Sequence, residues 1–312
     1  MRESEVQETR TREAEARYAA LDEPEKLVVR AAAVAYVPLS EAGFSKFFGF
    51  AFPETFARTG LLRAPQRLIR NLVSRGVLQD AGNLRWRCAP ELVDVAFRDA
   101  VSRKELTQLL YAVRRVVPVP LRFGQEVYEN ADDLARGLRY ALFSGEAETF
   151  LRLFKGPRLS DGERTSPASL VRALLAVPEN LPFFLGLSER AVTVLAGFFT
   201  SEELRFLRPL PPLRSFLRAA LRKYPGSFFL ISLAAAEGVL RGDREVAEEA
   251  RARFAKLPLP LPGELLAWDS AFAALRLLTE EGSAAGAAAR YEQALEEFFP
   301  RGEKGPLPFL FA

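Results

Sequence analysis
The sequence predicts a mainly α-helical chain carrying one small β-hairpin. Three observations predict it. Apolar residues recur at three- and four-residue spacing through most of the chain. Prolines and glycines stand where those periodic stretches begin and end. Strict alternation replaces the helical period only between Val77 and Cys88.

Residues 1–24 form the first segment. Acids and bases alternate through residues 1–20 with few apolar positions, which reads as a frayed helix or a charged tail. Pro24 sits where a helix begins, with Asp22 before it as the cap, and Leu27, Val28, Ala31, Val34 and Ala35 form an apolar stripe. Phe44, Phe47, Phe48 and Phe52 mark a second short helix, stopped by Pro53. Pro65 opens a third and Gly76 ends it. Its apolar face is Leu68, Ile69, Leu72 and Val73. Its polar face is Gln66, Arg67, Arg70, Asn71 and Ser74, with no acid among them. Val77-Leu78-Gln79 and Leu84 to Cys88 then read as two strands joined by Asp80-Ala81-Gly82-Asn83. Alternation points Leu84, Trp86 and Cys88 to the core and Arg85 and Arg87 outward. Pro90 opens a further helix through Val101. Three helices followed by a hairpin is the element order of a winged helix, so residues 25–101 are expected to form a winged-helix-like domain.

After residue 102 every element reads as helix. Leu106, Leu109, Leu110 and Val113 form one stripe, and Val117-Pro118-Val119-Pro120 is a linker. Leu134 to Phe154 holds two helices joined at Ser144-Gly145-Glu146. Residues 155–167 are the most loop-like stretch. Helices follow at Leu170–Val177 and Glu189–Phe199, with a turn at Leu181–Phe184 between them. Residues 102–200 are thus an irregular helical region.

Residues 201–312 carry a weak internal echo. Ala234 to Asp243, with Gly242, precedes a helix through Phe254. Ala273 to Gly282 precedes Ala287 to Phe299, and Leu138 to Phe154 has the same shape upstream. Each is an alanine- or leucine-rich helix, a glycine turn and a second helix. Gly242 and Gly282 lie 40 residues apart, a little beyond the ~34 of a tetratricopeptide (TPR) repeat. Antiparallel helical pairs in a TPR-like array are therefore expected, becoming more regular after Pro209.

Composition excludes much chemistry. The 312 residues carry a net charge of +3, one cysteine and no histidine. No Cys/His or Ser/His/Asp pair can be assembled, and no imidazole can bind a metal. Gly43-Phe44-Ser45-Lys46 and Gly302-Glu303-Lys304-Gly305 lack the full phosphate-loop pattern. Glu248-Glu249 and Glu296-Glu297 lie on arginine-rich amphipathic helices and read as solvated faces. Cys88 reads as a buried filler. No apolar run reaches the roughly 20 residues that span a bilayer, and the charged start is no secretory signal. A cytoplasmic, non-enzymatic chain without cofactor or metal is expected.

One charged surface stands out. From Leu61 to Cys88 there are six arginines, at 63, 67, 70, 75, 85 and 87, against one acid, Asp80. Arg67, Arg70, Asn71 and Arg75 lie on the helix that a winged helix places in the major groove, and Arg85 and Arg87 lie on the wing, within reach of phosphate. DNA is the expected partner of this face, with protein docking the alternative.

Arg67 to Pro90, Leu138 to Phe154, Glu202-Glu203-Leu204 with the leucine-rich run to Leu221, and Glu237 to Asp243 together resemble the N-terminal region of large bacterial Swi/Snf-type, DEAD/DEAH-box helicase-like ATPases. Tyr291 to Glu296, followed by Arg301 to Leu310, resembles that family's repeat helix, basic turn and apolar restart. The resemblance covers about residues 25–312 and implies a winged-helix-like unit, then helical repeats, then a motor. None of the family's ATP-binding residues has a counterpart here. The apolar stop at Leu307 to Ala312 reads as a truncated helix. The implied function is a non-catalytic accessory region of an ATP-dependent translocase. Its winged helix would dock DNA, and its repeats would hold a protein partner or its own motor. A stand-alone winged-helix adaptor or transcriptional regulator is the alternative.

Overall fold
The structure is a computed structural model that describes residues 3–58, 65–118, 121–122, 125–126, 128, 130–156, 166–206, 211–241, 243–257, 273, 277 and 282–298. It is mainly helical, and the chain divides into two compact units, residues 1–187 and 188–312.

The first unit is built around helix α2 (Glu23–Ala35). Asp22 and Glu25 close a capping box at its start, each side chain accepting from the other's backbone N–H, and Pro24 occupies the first turn. Of the predicted stripe, Val28, Ala31, Val34 and Ala35 are buried and Leu27 is partly buried, but Val29, Arg30, Ala32 and Ala33 are buried as well. Four alanines keep α2 thin enough to be surrounded. Strand β1 (Leu39–Ser40) leads into α3 (Glu41–Ala51), capped when Ser40 Oγ accepts the Gly43 N–H at 3.1 Å. Phe44, Phe47 and Phe48 are fully buried. Pro53 does not merely stop α3; it opens α4 (Pro53–Arg58). Helix α5 (Gln66–Ser74) ends as predicted, with Gly76 at φ 66° and the Val77 N–H donating to the Leu72 carbonyl at 2.8 Å.

Strands β2 (Leu78–Asp80) and β3 (Arg85–Cys88) form the predicted hairpin, and β1 adds a third strand that alternation did not reveal. The antiparallel order is β1-β3-β2, with Leu39 opposite Trp86 and Leu78 opposite Cys88. Two residues are too short to show a period. Helices α6 (Pro90–Ser102) and α7 (Leu106–Val116) pack on α2, and α7 also packs on α3.

Of the two readings of the N-terminal segment, a frayed helix or a tail, the structure has a helix. Helix α1 (Glu3–Ala19) packs along α6 and places Ala14 and Tyr18 in the core. Arg17 bridges to Glu91 and to the Gly76 carbonyl, both at 2.8 Å. Asp99 of α6 gathers three donors: Tyr18 Oη of α1 and Arg30 Nη1 of α2, each at 2.7 Å, and Nε of Arg103, the residue that caps α6, at 3.1 Å. Burial raises the Asp99 pKa, but these donors outweigh it and hold the carboxyl below its ordinary value. The second face of Arg30 meets Glu105 at 2.9 Å.

One expectation after residue 102 fails. Leu121–Arg122 (β4) and Gln125–Glu126 (β5) pair as a two-stranded ladder, not helix. Pro118, just upstream, has no backbone N–H to donate, which keeps the preceding helix from continuing toward this ladder. Helices α8 (Ala131–Ser144) and α9 (Ala147–Phe154) then form the expected hairpin, with Gly145 at φ 74° between them. Gly137 lets α8 approach Tyr128 and Leu153; a Cβ there would lie 2.8 Å from the tyrosine ring. Helix α10 (Pro167–Leu175), a 3-10 turn at Pro178–Asn180 and α11 (Leu181–Gly186) complete the unit. Most of the loop-like stretch 155–167 lies outside the described residues.

In the second unit, α12 (Glu189–Phe206) runs further than the predicted Phe199. Helices α13 (Pro211–Lys223), α14 (Phe228–Arg241) and α15 (Arg244–Phe254) follow, and α13 and α15 both pack on α14. The α14–α15 pair packs closely at Gly238. A Cβ on Gly238 would stand 2.6 Å from the Ala247 nitrogen. Asp243 caps α15 by accepting the Val246 N–H. Of the third predicted pair, Ala273 and Leu277 are helical, Gly282 has φ 65°, and α16 (Ala284–Phe298) follows. Gly242, Lys304 and the apolar segment 307–312 lie outside the described residues. Among the described residues no single helix is long and apolar enough to cross a membrane.

Candidate nucleic-acid interface
The six residues singled out by sequence divide into two groups of different chemistry. Arg67 and Arg70 stand exposed on α5, and Arg85 and Arg87 stand exposed on β3. Among the described residues the guanidinium groups of these four make no hydrogen bond or ion pair. The pleat explains the strand pair, because Arg85 and Arg87 share one face while Trp86 and Cys88 turn toward α2.

Asn71 and Arg75 do not belong to that free surface. Glu25 of α2 is 4% exposed, and its carboxylate takes both. Arg75 Nη1 donates to both oxygens at 2.9 and 2.8 Å, and Asn71 Nδ2 donates to Oε1. Glu25 Oε2 also accepts the Asp22 N–H at 3.0 Å. A buried carboxylate without these donors would be costly, so Asn71 and Arg75 serve the core and are withdrawn from ligand readout. The capping-box spacing announces Glu25 as an N-cap partner. Nothing local announces that its other lone pairs face a helix 46 residues away.

The face of α5 is also less free of acid than its own sequence suggests. Glu41 of α3 accepts from Gln66 Nε2 at 2.5 Å. The positive surface therefore begins at Arg67, past that contact.

Leu84 overturns its expected place. It is 78% exposed rather than in the core with Trp86 and Cys88. Gly82, Asn83 and Leu84 have φ of 81°, 54° and 54°, so the pleat ends at Arg85 and the tip sits one residue later than Asp80–Asn83. Asp80 Oδ1 holds the Gly82 N–H at 2.8 Å, and the Arg85 N–H closes on the Gly82 carbonyl at 3.1 Å. Cys88 is a filler as expected: it is 5% exposed, and burial pushes its thiol far above the ordinary value.

Away from this face, an open cavity of about 260 Å³ lies between α1, α6 and α10, lined in part by Arg10, Glu91, Asp94 and Arg98. Arg98 is held by Glu15 and Asn180, and Asp94 by Arg139. Among the described residues no group of three or more cysteine or acidic side chains could hold a metal ion.

Comparison with protein-family models, with curated proteins and with solved structures finds no match.

Proposed function
We propose that residues 23–88 form a winged-helix unit that docks on duplex nucleic acid through Arg67, Arg70, Arg85 and Arg87, as a non-catalytic accessory region. The observation that carries the reading is the sheet order β1-β3-β2, with α5 immediately before the hairpin and four exposed arginines on those two elements. A helix and an adjoining hairpin can follow a groove and its flanking phosphates together. Exposed guanidiniums need no rearrangement to meet phosphate. The resemblance to helicase-like ATPases extends the proposal: the unit would serve an ATP-driven translocase, and the helical pairs from α12 onward would hold a protein partner or the motor.

The test is a titration of the full chain with duplex DNA at low and moderate salt. Affinity should fall with salt at a slope of about −0.9 per phosphate contacted. Reversing Arg85 and Arg87 to glutamate should weaken binding evenly across sequences and reduce the slope by about 2. Arg67→Ala should act on any sequence preference. Asn71→Ala and Arg75→Ala should lower the melting temperature instead, because they strip donors from buried Glu25. Absence of salt-sensitive binding, or indifference to the Arg85/Arg87 reversal, would overturn the reading in favour of protein docking.

A further inference from the structure
The hairpin tip places a leucine where both solvent and backbone disfavour it. Among the described residues Leu84 is the most exposed large apolar side chain, at 78%. It also has φ 54°, a left-handed conformation that glycine adopts freely and leucine rarely adopts. The turn is well anchored. Asp80 holds the Gly82 N–H, the Arg85 N–H closes on Gly82, and the Ala81 N–H donates to the Arg85 carbonyl at 2.9 Å. The tip is thus a fixed mount for an outward apolar group, and such strain at an exposed position points to use.

The surroundings select the ligand. Ala81, Gly82 and Asn83, which share the turn with Leu84, are exposed and small or polar, so the turn itself supplies no second large apolar group. A protein interface core gathers apolar neighbours; Leu84 has cations instead, with Arg85 next to it and Arg87 on the same strand face. One apolar side chain ahead of two guanidiniums matches a ligand with apolar planes behind anionic rails. Stacked bases between two phosphate backbones are that ligand.

We propose that Leu84 is an apolar wedge: it enters the minor groove of a bound duplex and partly unstacks one base-pair step, while Arg85 and Arg87 hold the flanking phosphates. This rests on the duplex-docking reading above. Unstacking by an inserted aliphatic side chain kinks the duplex toward the major groove. The phosphate contacts supply the affinity and the leucine supplies the deformation. Flexible pyrimidine–purine steps should be favoured, since they unstack at least cost.

The experiment uses the full chain and duplexes carrying 2-aminopurine at successive steps, with dyes at both ends. The wild-type chain should bind in a salt-sensitive way, raise 2-aminopurine emission at one step and shorten the end-to-end distance. Leu84→Gly suits the left-handed turn and preserves the fold. It should keep affinity within about threefold and keep the salt slope, because phosphates carry both, yet lose the emission rise and the bend. Leu84→Met should retain both signals. Salt-sensitive binding by the wild type without unstacking or bending overturns the wedge and leaves duplex docking standing. Unstacking that survives Leu84→Gly does the same. No duplex binding at all removes both proposals. Leu84-dependent binding to phosphatidylserine vesicles, with duplex signals unchanged by Leu84→Gly, assigns the tip to a lipid surface and overturns the wedge.

Discussion
Glu237 shows how one buried side chain writes a pH dependence into the second unit. It lies on α14 at 3% exposure. Burial first, then the charge of Asp243, pushes its pKa from 4.5 up to about 7, with Arg214 pulling the other way. The folded state therefore holds a proton that the unfolded chain releases between those values. That contribution to stability is fully present below about pH 4.5 and is lost as pH rises to about 7. Glu237→Gln carries the neutral shape at every pH. It should raise the melting temperature at pH 8, by an effect on the order of 2 kcal/mol, and leave it nearly unchanged at pH 4.5. Equal stabilisation at both values, read by thermal melts, would sink this account of the site.

Helix pairing is controlled by where glycine removes a Cβ. Gly238 sits inside α14, where alanine would gain roughly 1 kcal/mol of intrinsic helix preference. The tertiary cost outweighs that gain, because the new methyl would meet the Ala247 nitrogen at 2.6 Å and its Cα at 2.7 Å. These are backbone atoms of α15 and cannot rotate away. Gly238→Ala should therefore destabilise the pair by about 2 kcal/mol, as overpacking does. Gly186→Ala is the control. Nothing lies within 4 Å of its would-be Cβ, and it should be neutral or stabilise by up to about 1 kcal/mol. Urea midpoints compare the two, and a neutral Gly238→Ala would mean that the helices stand further apart. The same close approach explains why an alanine-rich helix and a glycine are informative even when the period is imperfect.

For the molecule as a whole, helix α1 is part of the first unit's core. Its charged composition hides three apolar contacts made by Ala14, Tyr18 and neighbouring Leu21. Arg17 and Tyr18 add hydrogen bonds to elements 59 to 81 residues away. Deleting residues 1–21 should cost on the order of 4 kcal/mol from lost burial alone, and it would leave Asp99 without its tyrosine donor. The urea midpoint of Trp86 fluorescence in a Trp268→Phe background measures this. An unchanged midpoint would restore the tail expected from composition. The binding titration therefore needs α1 in place, and the intact chain supplies it.

The sequence by itself determined what depends on neighbours along the chain. Pro65 and Gly76 bounded α5, alternation located the β2–β3 hairpin, and Gly145 marked the α8–α9 turn. Caps, left-handed glycines and periodicity act over a few residues, so they are legible without a fold. The exposure of Arg67, Arg70, Arg85 and Arg87 was legible for the same reason, since helix face and strand parity are local. Only the tertiary structure decided which polar groups remain available. Asn71 and Arg75 have the same helix-face signature as Arg67 and Arg70, yet Glu25 claims them from another helix. Leu84 has the parity of Trp86, yet three consecutive positive φ angles, 81°, 54° and 54°, take it out of the pleat and onto the tip. The physical reason is common to both cases. A buried carboxylate must find donors wherever the fold brings them, and a turn settles its geometry by closing two strands whose register is set by the packing of Trp86 and Cys88 beneath α2.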